Sequence, residues 1–155
     1  MVLRKHRIAV IGLGMAVAPH AKSLLDLRDR VEVAAAYSQT AARRSAFAKQ
    51  FDFPLADDLD AILADPSIDM VAVLTPANTH RDIVLRAAKA GKHVLLEKPL
   101  EISTPRAVEL VEACERAGVT LGVVLQHRVR QASRTLAALL QENTLGPLVG
   151  CSTSI

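Results

Sequence analysis

A lysine closes an apolar run in the segment HVLLEKPL, residues 93–100. Val94, Leu95 and Leu96 suit a buried strand. Glu97, Lys98 and Pro99 then end it with two opposite charges and a residue that has no N–H to give a sheet. An ammonium delivered to the end of a buried strand is placed to meet a ligand. It can hydrogen-bond a hydroxyl or carbonyl oxygen, stabilise negative charge that develops there, and take part in proton transfer. Pro99 fixes its own φ and biases Lys98 towards extended backbone, which aims the amine with less lost entropy.

A second set of residues starts at Gly12. The apolar run over residues 8–11 leads straight into Gly12-Leu13-Gly14-Met15-Ala16-Val17, and helical spacing follows. In that context Gly12 permits a tight turn, and Gly14 lets a pyrophosphate approach the backbone at the positive end of a helix. The third position, where glycine or alanine allows close helix packing, is Val17, flanked by the small Ala16 and Ala18. A glycine pair directly after the first strand points to dinucleotide binding. About 20 residues further on, a carboxylate would grip the adenosine 2′-hydroxyl of NAD. Tyr37-Ser38-Gln39-Thr40 stands there instead, followed by Arg43 and Arg44. The Ser38 hydroxyl and the Arg43 guanidinium suit a 2′-phosphate, although a solvated helix face would also accept both arginines. The expected cofactor is therefore NADP or NAD, with NADP favoured.

These groups need a scaffold, and the chain supplies strands and helices in alternation. Strands are expected over residues 8–11, 31–37, 68–74, 93–96, 119–125 and 149–155. Helices are expected over 15–27, 40–51, from Asp57 to Pro66, 79–90, from Thr104-Pro105 onward, and 129–141. Asp57 is the expected cap of the third helix, Thr104 of the fifth, and Gly91 closes the fourth. The strands are nearly continuous apolar runs, as strands covered on both faces are. Alternation with helices then predicts an α/β fold, a doubly wound and mostly parallel sheet of Rossmann type.

Composition narrows the function classes. The 155 residues are 50% hydrophobic and 23% charged, with no Trp, one Tyr, three Phe and a formal charge of +3. That suits one globular domain with an aliphatic core. Nucleic-acid binding is disfavoured because aromatic stacking platforms are scarce. The Arg4-Lys5-His6-Arg7 cluster reads as a solvated lead-in to the first strand. No apolar run approaches the ~20 residues that cross a membrane, and no signal peptide is legible, so a cytoplasmic location is expected. Cys114 and Cys151 have no metal-like spacing, and Cys114 falls on the apolar face of its helix.

Two further stretches complete a pattern: Leu74-Thr75-Pro76-Ala77-Asn78-Thr79-His80 and Glu97-Lys98-Pro99. With the Gly12/Gly14 turn and His20, their order resembles the Gfo/Idh/MocA oxidoreductases, which include glucose–fructose oxidoreductase and inositol dehydrogenases. The resemblance runs on through Gln126-His127-Arg128 and Leu145-Gly146-Pro147. It implies an amino-terminal NAD(P)-binding domain in which Gly12, Leu13, Gly14, Met15 and Ala16 hold the pyrophosphate. Thr75, Pro76, Asn78 and His80 would run past the ribose and nicotinamide. Lys98, preceded by Glu97 as an orienting residue, would lie beside the nicotinamide and a hydroxyl or carbonyl of a sugar, polyol or related substrate. His80 also suits a purely hydrogen-bonding role, and Thr79 with Asp82 suits a helix cap.

The same resemblance implies a following α/β domain that supplies a histidine, often with an aspartate. No Asp-x-x-x-His pattern follows Lys98, and His127 is the only histidine beyond it. Residues 1–147 are thus expected as the nucleotide domain and 148–155 as the first strand of the next. That strand is expected to be disordered or to pair with a second copy, giving a homodimer. Two readings follow: the cofactor domain of a dehydrogenase, or a dinucleotide-binding scaffold without catalysis.

Overall fold

The computed structural model describes residues 4–152. A six-stranded sheet is formed by β1 His6–Ile11, β2 Val31–Tyr37, β3 Leu55–Ala56, β4 Met70–Val73, β5 His93–Glu97 and β6 Leu121–Val124. Every pairing is parallel, in the order β3-β2-β1-β4-β5-β6. Helices α1 Val17–Asp26, α2 Ala41–Ala48, α3 Leu59–Ala64, α4 His80–Lys89 and α5 Thr104–Arg116 connect the strands. This is the doubly wound Rossmann-type sheet that the alternation predicts, and its strand order reverses between β1 and β4.

The apolar runs are continuous because neighbouring residues serve opposite faces. Ile8 and Val10 join Ala72, Leu74, Val17 and Ala21 in one buried cluster. Ala9 and Ile11 join Val71, Val73, Val84 and Leu96 in the other. Leu96 and Leu110 are 0% exposed, and burial of such a side chain stabilises by about 2 kcal/mol. The chain's three phenylalanines pack together on the first face, with Phe47 and Phe51 centroids 5.1 Å apart and Phe53 within 6.2 Å of both. Cys114 is 1% exposed in the second cluster, and burial pushes its thiol pKa up. Both observations fit a core residue.

The basic lead-in is tied down within the molecule. Arg7 donates its backbone N–H to Asp69 Oδ2 at 2.7 Å, and the Arg4 guanidinium meets Asp69 Oδ1 at 2.7 Å. The backbone bond from Arg7 is the main reason the Asp69 carboxyl lies below its ordinary pKa, with the Arg4 charge adding to it.

Several element ends differ from expectation for local reasons. The cap of α3 is Asp58, not Asp57, because the Asp58 carboxylate accepts from Asp60 N at 2.8 Å and Ala61 N at 3.2 Å. Ser103, not Thr104, occupies the cap position of α5, and Thr104 is its first helical residue. The expected helix over residues 79–90 divides into a 3-10 turn, Ala77–Thr79, and α4. Thr79 caps nothing with its side chain. Gly91 does close α4 at φ +71°. β3 has no counterpart in the expectations; it is a two-residue edge formed by pairing with Ala36 and Tyr37.

Residues 4–124 form one compact unit and residues 125–152 a second. The second holds α6 Gln126–Val129 and α7 Gln131–Gln141. The expected helix over 129–141 is interrupted at Arg130, whose ψ of 145° is extended. No strand forms over residues 149–152, so the expected strand is absent there. Its last residues, 153–155, lie outside the described part. No helix among the described residues is long and apolar enough to cross a membrane.

Candidate nucleotide-binding cleft

Beyond the carboxyl ends of β1, β2, β4 and β5 lies an open cleft of about 850 Å³. A sheet whose order reverses between β1 and β4 leaves a crevice there. Of the residues expected to bind cofactor, Gly12, Gly14, Met15, Ala16, Ser38, Arg43, Thr75, Pro76, Asn78, Glu97 and Lys98 all line it. They come from turns far apart in sequence, and the parallel sheet alone gathers them.

The two glycines have different reasons to be glycine. Gly12 has φ +105°, and a Cβ there would fall 2.8 Å from Leu74 C and 2.9 Å from Thr75 N. Its lack of a side chain lets the exits of β1 and β4 pass in contact. A Cβ on Gly14 would meet nothing within 4 Å, so packing leaves that position free. The backbone at Gly14 is bare towards the cleft, as a pyrophosphate cradle requires. No side chain caps α1 at Ala16, which leaves its amino-terminal N–H groups without a side-chain acceptor. Val17 fits the third position of the turn because its side chain is buried against Leu13 and Ala21.

Two of the expected residues are not among the side chains that line the cleft. Leu13 is 6% exposed, its side chain in the core, so only its backbone is left to face a pyrophosphate. His80 does not line it either, being 0% exposed. Its Nε2 lies 2.9 Å from the Thr75 carbonyl and its Nδ1 3.3 Å from the Leu100 carbonyl. The imidazole is thus buried between the loop after β4 and the segment after Lys98, with the single N–H of its neutral form able to donate to one of the two carbonyls. The Thr79 hydroxyl lies 2.8 Å from that of Thr75 and donates to the Pro76 carbonyl at 2.7 Å, which shapes the same loop. Glu101 supports it from below. Its carboxylate is fully buried 2.8 Å from the Arg106 guanidinium, whose other contact is the Asn78 carbonyl at 3.5 Å.

The arginine pair separates cleanly. Arg44 donates to the Ser38 carbonyl at 2.6 Å and sits 3.7 Å from Asp57, so it braces the turn after β2. Arg43 is exposed, lines the cleft and has no side-chain partner among the described residues. Adjacent helical positions point about 100° apart, so only one of the two faces the ligand space.

Lys98 is exposed at the end of β5, and its ammonium has no partner among the described residues. The Lys98–Pro99 peptide is cis. Glu97 does not pair with the Lys98 ammonium. Its Oε2 accepts the Lys98 backbone N–H at 2.7 Å, and its Oε1 lies 3.8 Å from His20 Nε2.

Sequence reasoning missed one wall of the cleft: Leu59, Ile83, Asp82 and Arg86. The i,i+4 spacing of Asp82 and Arg86 was a signal, since the two pair at 3.3 Å. Arg86 also pairs with Asp60, which joins α4 to α3.

A parallel sheet in this order, with a glycine turn and a free helix end facing a cleft beyond its carboxyl edge, defines a dinucleotide-binding domain. The model of the oxidoreductase family GFO_IDH_MocA, NAD-binding Rossmann fold, matches residues 6–125, and the chain belongs to that family as its NAD(P)-binding domain. It is 37% identical over 124 residues to D-xylose 1-dehydrogenase (NADP(+)) 2 of Haloferax volcanii, covering 79% of this chain and 38% of that protein. It superposes on the WlbA dehydrogenase of Bordetella pertussis, in complex with NADH and UDP-GlcNAcA, with a TM-score of 0.85. Identity there is 26%, over 92% of this chain and 44% of that one. A 3-ketoreductase of Actinomadura kijaniata in complex with NADP and TDP-benzene gives a TM-score of 0.79 at 30% identity, over 90% and 43% of the two chains. The chain spans 34% to 42% of the length of the relatives it matches.

Proposed function

We propose that this domain binds NADP in preference to NAD and presents Lys98 to a hydroxyl or carbonyl group of a sugar, polyol or related substrate. The observation that carries the reading is Lys98 itself: an ammonium without a protein partner among the described residues, in the same cleft as the bare Gly14 turn. The residues fit the cofactor, since the cleft has room for it and the cradle at Gly14 is open.

Bound nicotinamide supplies or accepts the hydride. Lys98 hydrogen-bonds the substrate oxygen, stabilises negative charge as it develops, and exchanges the hydroxyl proton. His80 and Arg106 hold the loop from Thr75 to Asn78 against the Lys98 segment, so that cofactor and lysine are kept in register. Arg43, without a side-chain partner among the described residues where Arg44 is engaged, takes the 2′-phosphate with the Ser38 turn beside it. A tighter Kd for NADPH than for NADH is the checkable consequence.

The relatives act on xylose and inositols and bind nucleotide-linked compounds, which supports a polyhydroxy substrate. The reading places the protein in the cytoplasm. It also includes a homodimer in which a second copy covers the exposed Leu145, Leu148 and Val149, a mass that sedimentation would register.

The catalytic assignment is tested with Lys98→Met over a panel of sugars and polyols, followed by nicotinamide absorbance. The expected result is turnover about 100-fold lower than the parent's on the substrate it uses, with NADPH affinity within about threefold. Equal turnover by parent and Lys98→Met would remove Lys98 from the chemistry. Binding of NADPH without turnover by either protein is the outcome of a cofactor domain that carries only part of the active site. Absence of dinucleotide binding by the parent would remove both readings.

A further inference from the structure

The contact between His20 and Glu97 joins helix α1 to the end of β5 at the cleft. His20 lies in α1, which starts at the glycine turn, and Glu97 is the last residue of β5. Their side chains are 18% and 16% exposed, and Nε2 to Oε1 is 3.8 Å. That is ion-pair reach and too long for a direct hydrogen bond. The other carboxylate oxygen accepts the Lys98 N–H at 2.7 Å. A carboxylate has only two oxygens to orient, so a group that fixes one fixes the direction of the other.

We propose that His20 is a positioning residue for Lys98 that acts through Glu97. In its protonated form the imidazole attracts the near oxygen of the carboxylate, the far oxygen takes the Lys98 N–H, and the backbone that carries the ammonium is set as a result. The charged side chains that line the cleft are Arg43, Asp82, Arg86, Glu97 and Lys98. Asp82 and Arg86 pair with each other, and Arg43 follows β2 at a different turn. Glu97 is therefore the group with a direct bond to the lysine's main chain. The consequence is local: the nicotinamide end of a bound dinucleotide depends on His20, whereas the adenosine and pyrophosphate end does not.

This inference rests on the cleft binding NAD(P), and its test keeps the two apart. Calorimetry would compare NADPH with 2′-phospho-ADP-ribose, which has the same adenosine half and no nicotinamide. In the parent chain both bind. In His20→Ala the Kd for NADPH rises about fivefold, and the Kd for the fragment stays within about twofold. Glu97→Ala gives the same pattern, and the double variant loses no more than Glu97→Ala alone, because His20 has nothing left to act on. His20→Lys, which keeps a positive charge within reach of Glu97, recovers part of the loss. His20→Gln, which keeps most of the volume without the charge, does not, and serves where His20→Ala folds poorly. An equal loss for NADPH and the fragment, or additive losses in the double variant, would overturn the proposal while leaving dinucleotide binding intact. Failure of the parent to bind either compound would remove the binding reading itself, and this inference with it.

Discussion

Gly14→Val weakens NADPH binding about 100-fold and leaves the melting temperature within about 2 °C of the parent. The two halves of this result have separate origins. A Cβ on Gly14 meets no protein atom within 4 Å, and no positive φ demands glycine there, so the fold has room where the side chain begins. The added methyl groups instead occupy the side of the turn from which a pyrophosphate must approach the backbone and the free end of α1. Calorimetry and a thermal melt on the same sample check both halves. A Gly14→Val protein that melts well below the parent would show that the position serves the fold.

Gly12→Ala has the opposite signature. Its backbone at φ +105° disfavours any L side chain, and the new Cβ would overlap the backbone of Leu74 and Thr75 at 2.8 to 2.9 Å. Those atoms belong to the exit of β4, which is packed on both faces and cannot retreat cheaply. Strain and overpacking each cost 1 kcal/mol or more, giving a loss of about 3 kcal/mol and a melting temperature roughly 10 °C lower. A melt of Gly12→Ala within about 2 °C of the parent would contradict the close approach of β1 and β4. Two glycines separated by one residue thus fail in different assays, one in binding and the other in stability.

The sheet and the location of its cleft were legible because burial on both faces leaves a plain mark, the unbroken apolar runs over β1, β4 and β5. Motif residues at the ends of those runs had to converge once the strands were parallel. β3 was not legible, since Leu55 and Ala56 carry no run of their own and become a strand only by pairing with β2. The cap of α3 was off by one because Asp57 and Asp58 are the same residue type, and only geometry decides which carboxylate reaches two N–H groups. His80 was marked by its motif, but its burial between the carbonyls of Thr75 and of Leu100, 20 residues away, shows only in the fold. Arg43 was the arginine expected at a 2′-phosphate, and the helix turns it to the cleft while Arg44 goes to the Ser38 carbonyl. The wall built by Leu59, Ile83 and Arg86 stayed hidden because it exists only where α3 meets α4.

The central claim is that the cleft beyond β1, β2, β4 and β5 holds a dinucleotide, with Arg43 on its 2′-phosphate. Calorimetric titration of NADPH and NADH into the parent chain and Arg43→Ala tests it most directly. The account predicts one bound NADPH per parent chain, a loss of about tenfold in Arg43→Ala, and NADH affinity equal in the two proteins. Absence of binding by the folded parent chain to either dinucleotide would contradict it.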